Sequence, residues 1–159
     1  MCDDDRGKNL GPKARAVRKE VVVTAPLAEV WRSWTTSEGI KGFLGVNSTI
    51  QLDIAGPFEI YFAEDAPEGQ RGGETCKVLS YLPQRMLSFS WNAPPAFGHL
   101  RGKHTWVVLE FQELDGEKVN VCLTHLGWGQ GDDWNKLYDY FDKAWGGVLG
   151  VLAARFAGE

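Results

Sequence analysis

The sequence predicts an α+β fold: a curved antiparallel sheet of about six or seven strands wrapped on a long C-terminal helix, with two short helices after the first strand. Three observations carry this prediction. From Asp132 to Phe156 apolar side chains recur at three- and four-residue steps, the period of an amphipathic helix. From Val46 to His125 the period drops to two, as in strands with one buried face. No alternating strand–helix–strand pattern appears, and short connections join antiparallel neighbours.

Residues 1–13 are polar and carry Gly7, Gly11 and Pro12. They are expected to form a disordered tail ahead of one domain over residues 14–159. A short strand is expected over Ala16 to Thr24, centred on Val21-Val22-Val23. Pro26 then opens a helix, because its missing N–H would be unpaired in the first turn anyway. Leu27, Val30, Trp31 and Trp34 make the buried stripe of that helix. A second helix begins over Thr35 to Glu38, two residues with capping-box spacing, and Ile40, Phe43 and Leu44 pack inward.

Ser48 to Asp53 reads as a strand. After the Gly56-Pro57 turn, Phe58, Ile60 and Phe62 alternate onto one face. Residues 64–73 hold Pro67, Gly69, Gly72 and Gly73 and form a loop. It is not a phosphate loop, since the Lys-Ser/Thr ending and the following helix are missing. Glu74 to Tyr81 is the next strand, ended by Pro83. In Arg85 to Trp91, Leu87, Phe89 and Trp91 point one way, and Met86, Ser88 and Ser90 the other. Asn92 to Gly102 is a proline-rich loop. Lys103 to Glu113 and Lys118 to Leu126 are strands on either side of the Asp115-Gly116 hairpin signal. The second places Val119, Val121, Leu123 and His125 on one face.

Gly127-Trp128-Gly129-Gln130-Gly131 is too rich in glycine for regular structure. Asp132 and Asp133 then suit the positive end of the helix dipole. Trp134, Leu137, Tyr138, Phe141, Trp145, Val148, Leu149, Leu152 and Phe156 fall within a face of roughly 120°, at about 100° per residue. That face is bulkier than an aliphatic stripe. A twisted sheet wrapping one such helix leaves a wedge of space, where a pocket is expected. Gly146, Gly150 and Ala154 line up on the opposite side, where a second copy of the chain or the N-terminal segment could pack closely.

The 159 residues suffice for one domain with a sizeable core. The net charge of −4 and the lack of a basic aromatic patch argue against nucleic acid or an anionic membrane as the main partner. No run reaches the ~18 apolar residues of a membrane span. No apolar stretch follows the charged N-terminus, so no signal peptide is read. Three scattered Cys make no disulfide framework; Cys76 and Cys122 read as small buried hydrophobes, and a cytoplasmic setting is expected. Seven Trp are the distinctive feature, fitting either a core of large side chains or an aromatic-lined ligand site.

The order of elements resembles the START-like helix-grip (SRPBCC) superfamily, and within it the branch similar to the activator of heat-shock-protein-90 ATPase homologue. The resemblance is carried by Pro26-Leu27-Ala28-Glu29-Val30-Trp31, Thr35 to Gly39, Gly56-Pro57-Phe58-Glu59-Ile60, Arg71-Gly72-Gly73-Glu74 and Lys77-Val78-Leu79-Ser80. The strongest stretches are Met86 to Pro95, Thr124 to Gly129, Tyr140-Phe141 and Ala144-Trp145. Two positions depart from the family pattern: Gly56-Pro57 stands where a Gly-Gly pair is common, and Thr75 where a Gly is frequent. The resemblance implies the helix-grip fold. The wider superfamily includes lipid and hormone carriers, aromatic polyketide cyclases and stress proteins. The eukaryotic co-chaperone has a separate N-terminal domain for which this chain leaves no room.

The first functional expectation is a non-enzymatic domain that binds a small hydrophobic or aromatic molecule between the long helix and the sheet. Its lining is expected from Phe58, Ile60, Phe89, Trp91, Leu123, His125, Trp128, Tyr138, Phe141 and Trp145. The second is an enzyme of cyclase or hydrolase type with His125 as acid or base, although no carboxylate partner or nucleophile motif accompanies it. The third is a chaperone-associated interaction module, for which the family resemblance alone speaks. His125 reads more readily as a satisfied structural histidine than as a polar group at the pocket mouth. His99 and His104 lack a carboxylate or thiol at metal spacing, so neither metal nor cofactor is expected.

Overall fold

The computed structural model describes residues 15–157. The tail expected over residues 1–13 lies outside them. The chain runs β1 (Val17–Val23), α1 (Leu27–Thr35), α2 (Ser37–Leu44), β2 (Ser48–Ile50), β3 (Phe58–Ile60), β4 (Val78–Leu82), β5 (Met86–Trp91), a kinked 3₁₀ segment (Pro95–Gly102), β6 (Thr105–Asp115), β7 (Lys118–Leu126) and α3 (Asp132–Phe156). The sheet is antiparallel, in the order β1-β7-β6-β5-β4, and β2 and β3 form a separate hairpin. A bridge between Pro57 and Lys77 sets that hairpin beside β4.

Alternation decides the inner face. Leu87, Phe89 and Trp91 of β5, Thr105, Val107, Leu109 and Phe111 of β6, and Val119, Val121, Leu123 and His125 of β7 are all buried. The register sets Val107 between Phe89 and His125, and Leu109 between Leu87 and Leu123. The helix α3 covers these rows with Leu137, Phe141, Trp145, Leu149 and Leu152. Lys19 of β1 pairs with Asp142 at 3.0 Å, and Tyr138 Oη donates to the Ala16 carbonyl at 3.1 Å, so α3 is also fastened along the sheet edge. From α1 and α2, Val30, Trp34, Ile40 and Phe43 enter the same core.

Several local expectations shift. The N-cap of α2 is Thr36, whose hydroxyl accepts from Gly39 N at 2.9 Å. Glu38 does not close a capping box; it pairs with Arg32 at 2.7 Å. The strand expected from Glu74 begins only at Val78, because Thr75 sits at φ 74 and breaks extended structure. Phe62 does not follow Phe58 and Ile60 inward: β3 ends at Ile60 and Phe62 is 48% exposed. Cys76 and Cys122 are buried, and Cys76 is a free thiol. A Cβ at Gly146, Gly147 or Gly150 would meet nothing within 4 Å, so no described segment packs on that line. No helix of the described residues is long and apolar enough to cross a membrane.

Candidate functional site

The wedge under α3 is filled along most of its length. Phe58 stacks on Phe89 with ring centroids 4.0 Å apart, and both are fully buried with Ile60 and Leu123. His125 has Trp128 at 4.3 Å and Phe141 at 4.8 Å between ring centroids, and Trp128 meets Tyr138 edge-on at 5.4 Å. Such contacts are those of a packed interior.

Every polar atom of His125 is engaged. Trp145 Nε1–H donates to His125 Nδ1 at 2.9 Å. An indole nitrogen can only donate, so Nδ1 carries no proton and the neutral ring holds it on Nε2. Nε2–H then donates to Thr105 Oγ1 at 2.6 Å, and the threonine hydroxyl donates onward to the Trp91 carbonyl at 3.3 Å. The His125 carbonyl accepts from Trp128 Nε1 at 2.9 Å. Burial holds the imidazole pKa down at about 3. This is a neutral, fully bonded histidine beneath the helix, with no lone pair directed at open space.

The open space lies at one end of the wedge. A cavity of about 190 Å³ is bounded on the helix side by Tyr140, Phe141, Ala144, Trp145 and Val148. Trp91 and Asn92, at the end of β5, form its floor, and Pro94 and Pro95 one rim. The opposite rim is Phe62, Ala63, Gln70, Arg71 and Gly72. Of the ten lining residues expected from sequence, Trp91, Phe141 and Trp145 reach this cavity. Phe58, Ile60, Phe89, Leu123, His125, Trp128 and Tyr138 do not border it.

A polar clamp, which sequence reasoning missed, builds the rim. Arg101 Nη2 meets Glu74 Oε1 at 3.2 Å, and both side chains are mostly buried. Arg101 also donates to the carbonyls of Gly69, at 2.7 Å, Gly72, at 2.9 Å, and Ala93. The Glu74 carboxylate accepts from Arg71 N at 2.6 Å, Gly72 N at 2.9 Å and Gly69 N. One ion pair therefore ties the loop before β4 to the segment after β5. Gly72 lies at φ 145, and a Cβ there would meet the Ile60 carbonyl oxygen at 2.5 Å, so the loop can close on β3 only with glycine. The glycine pair between Arg71 and Glu74 was the available signal; its partner Arg101, 27 residues beyond Glu74, had none.

The other titratable candidates have ordinary partners. His99 Nε2 lies 3.8 Å from Asp133, and His104 Nε2 is 2.9 Å from Thr75 Oγ1. Ser88 Oγ is bonded to Ser80 Oγ at 2.7 Å, and Ser90 Oγ accepts from Lys77 N at 2.9 Å. Burial pushes the Cys76 thiol up to about 12, which keeps it protonated and unreactive. Among the described residues no group of His, Cys, Asp and Glu converges as a metal site would need.

A comparison with curated protein sequences finds no match. Solved structures share the architecture. Protein MLL2253 of Mesorhizobium loti has a TM-score of 0.68 at 19% identity, covering 89% of this chain and 96% of its own. An AHSA1-like protein of Rhizobium etli gives 0.63 at 20% identity, with 93% and 85% covered. The Aha1 dimer of Colwellia psychrerythraea gives 0.60 at 19% identity, with 91% and 98% covered. At these identities the likeness is one of fold. The sequence profile described as "Activator of Hsp90 ATPase homolog 1-like protein" matches residues 24–157, nearly the whole described chain, and the protein belongs to that family.

Proposed function

We propose that this domain binds a small apolar or aromatic molecule in the cavity between α3 and the two clamped loops. The observation that carries the reading is the cavity itself, whose deep wall is three aromatic side chains, Trp91, Phe141 and Trp145. An apolar hollow with a few polar groups at its rim is the usual form of a small-molecule site. Its volume of about 190 Å³ is below the usual drug-sized range, and cavities near 150 Å³ hold benzene. The occupant is therefore one ring or a fused pair. An enzymatic role through His125 has no geometric support, because its ring is neutral, sealed and fully bonded. A chaperone-linked role rests on the family description alone.

Titration with naphthalene-1-acetamide and naphthalene-1-acetate tests the reading. At least one is expected to quench tryptophan emission saturably, since two of the seven Trp line the cavity. Ala144→Trp, which fills the cavity from the helix side, should abolish that quenching while the melting temperature is kept. Binding of neither compound nor of 2-(1-naphthyl)ethylamine, or unchanged quenching in the filled variant, overturns the proposal.

A further inference from the structure

We infer that the occupant is an aromatic anion, with its charged group, such as a carboxylate, held at Arg71. The inference rests on the cavity being a binding site, as proposed above. Arg71 is the one ionised side chain among the lining residues; no Asp, Glu, Lys or His borders the space. Two carboxylates are equally near in sequence: Glu68 makes no ion pair with Arg71 among the described residues, and Glu74 is occupied by Arg101 and by three backbone N–H groups. Arg71 Nε donates to the Ala66 carbonyl at 3.0 Å, which fixes the stem of the side chain. Both terminal nitrogens then remain without a protein partner among the described residues, at the rim of an apolar hollow.

A guanidinium presents paired N–H groups that match a carboxylate in two parallel bonds. With its charge there, a ligand's ring would extend inward to Trp91 and Trp145, which stand 5.5 Å apart. Aromatic walls also attract cations, and a ring-lined cavity can hold an ammonium group. Here the rim opposes that: the uncompensated charge is positive and no lining carboxylate offsets it. Charge therefore separates two ligand classes that the rings alone would both accept.

Calorimetric titration at low ionic strength with three naphthyl probes of similar size decides the question: naphthalene-1-acetate, naphthalene-1-acetamide and 2-(1-naphthyl)ethylamine. The acetate should bind about 5- to 10-fold more tightly than the amide, the range of a charge-assisted pair at a partly exposed position. The preference should shrink in high salt. Arg71→Gln should bring the acetate-to-amide affinity ratio to about one, and Arg71→Lys should retain part of the preference. If the acetate gains nothing over the amide, if its preference survives Arg71→Gln, or if the amine binds best, the anion assignment is wrong although the cavity reading stands. Binding by none of the three overturns both.

Discussion

The indole N–H of Trp145, in the middle of α3, donates to Nδ1 of His125, at the end of β7, at 2.9 Å. The helix is thus joined to the last strand by a directed bond inside an apolar seam. The same tryptophan presents its ring to the cavity. Packing of the fold and the shape of the candidate site therefore share one side chain, and disturbance of His125 reaches the cavity through it.

Acid should loosen this arrangement. His125 titrates at about 3 in the folded chain, against the ordinary 6.5 when unfolded. Between those values the unfolded chain binds the proton and the folded chain does not, so stability falls as pH drops below 6.5. Each pH unit in that window removes about 1.4 kcal/mol. Above 6.5 the group imposes no pH dependence. His125→Asn keeps an acceptor near the Nδ1 position and removes the titration. Urea unfolding from pH 7.5 to 4 should show a shallower acid slope in this variant and a lower stability at pH 7.5.

The other end of the imidazole is equally constrained. Thr105→Val preserves shape and removes the acceptor of Nε2–H, leaving a buried donor unpaired. A loss of about 1–3 kcal/mol in unfolding free energy is expected, with the pH-7 fold retained. Equal stability of the variant and the parent in chemical denaturation would mean that the bond contributes nothing net.

Arg101→Met should act on the rim rather than the core. It leaves the carbonyls of Gly69, Gly72 and Ala93 without their shared donor and Glu74 without its counter-charge. Breaking one side of a mostly buried pair costs about 3–5 kcal/mol, and somewhat less where water can enter. Hydrogen exchange should accelerate at Gly69, Arg71 and Gly72, whose amides bond Glu74, while β6 and β7 keep their protection. Binding of naphthalene probes should weaken in parallel. Uniform acceleration across the sheet would instead place the clamp in the global core.

How much of this was legible in the sequence follows from the range of each interaction. The helix over Asp132–Phe156 was readable to the residue, because 25 consecutive positions report one period. The inner rows of β5 and β7 were readable from alternation, and His125 was correctly assigned to the inner face. Periodicity says which face a residue takes but not whether the facing surfaces meet. The rings of Phe58, Phe89 and Trp128 fill the wedge they were expected to line, and the cavity appears only where β3 ends and Phe62 swings out. The rim depends on Glu74 and Arg101, which meet across two irregular loops, and no local pattern encodes such a pairing. Thr36 rather than Thr35 caps α2 for a simpler reason: Thr35 is the last residue of α1, with its hydroxyl bonded to the Trp31 carbonyl, so the next threonine is the one left to cap.

Thr75 gives the last test, because a β-branched residue stands where the backbone turns left-handed. Its backbone sits at φ 74, in the left-handed region, where a β-branched side chain is strained by about 1–2 kcal/mol. The conformation is held by Thr75 N donating to Glu59 Oε2 at 3.0 Å, and the hydroxyl lies 2.9 Å from His104 Nε2. The second contact is exposed and contributes little. Glycine removes the strain and keeps the backbone bond, but widens the freedom of the unfolded chain. The balance favours Thr75→Gly by about 0.5–1 kcal/mol. Thermal unfolding should therefore shift upward by a few degrees, whereas Thr75→Val, which keeps the branch and loses the hydroxyl, should not rise above the parent. A lower midpoint for the glycine variant would mean that the His104 contact outweighs the backbone strain.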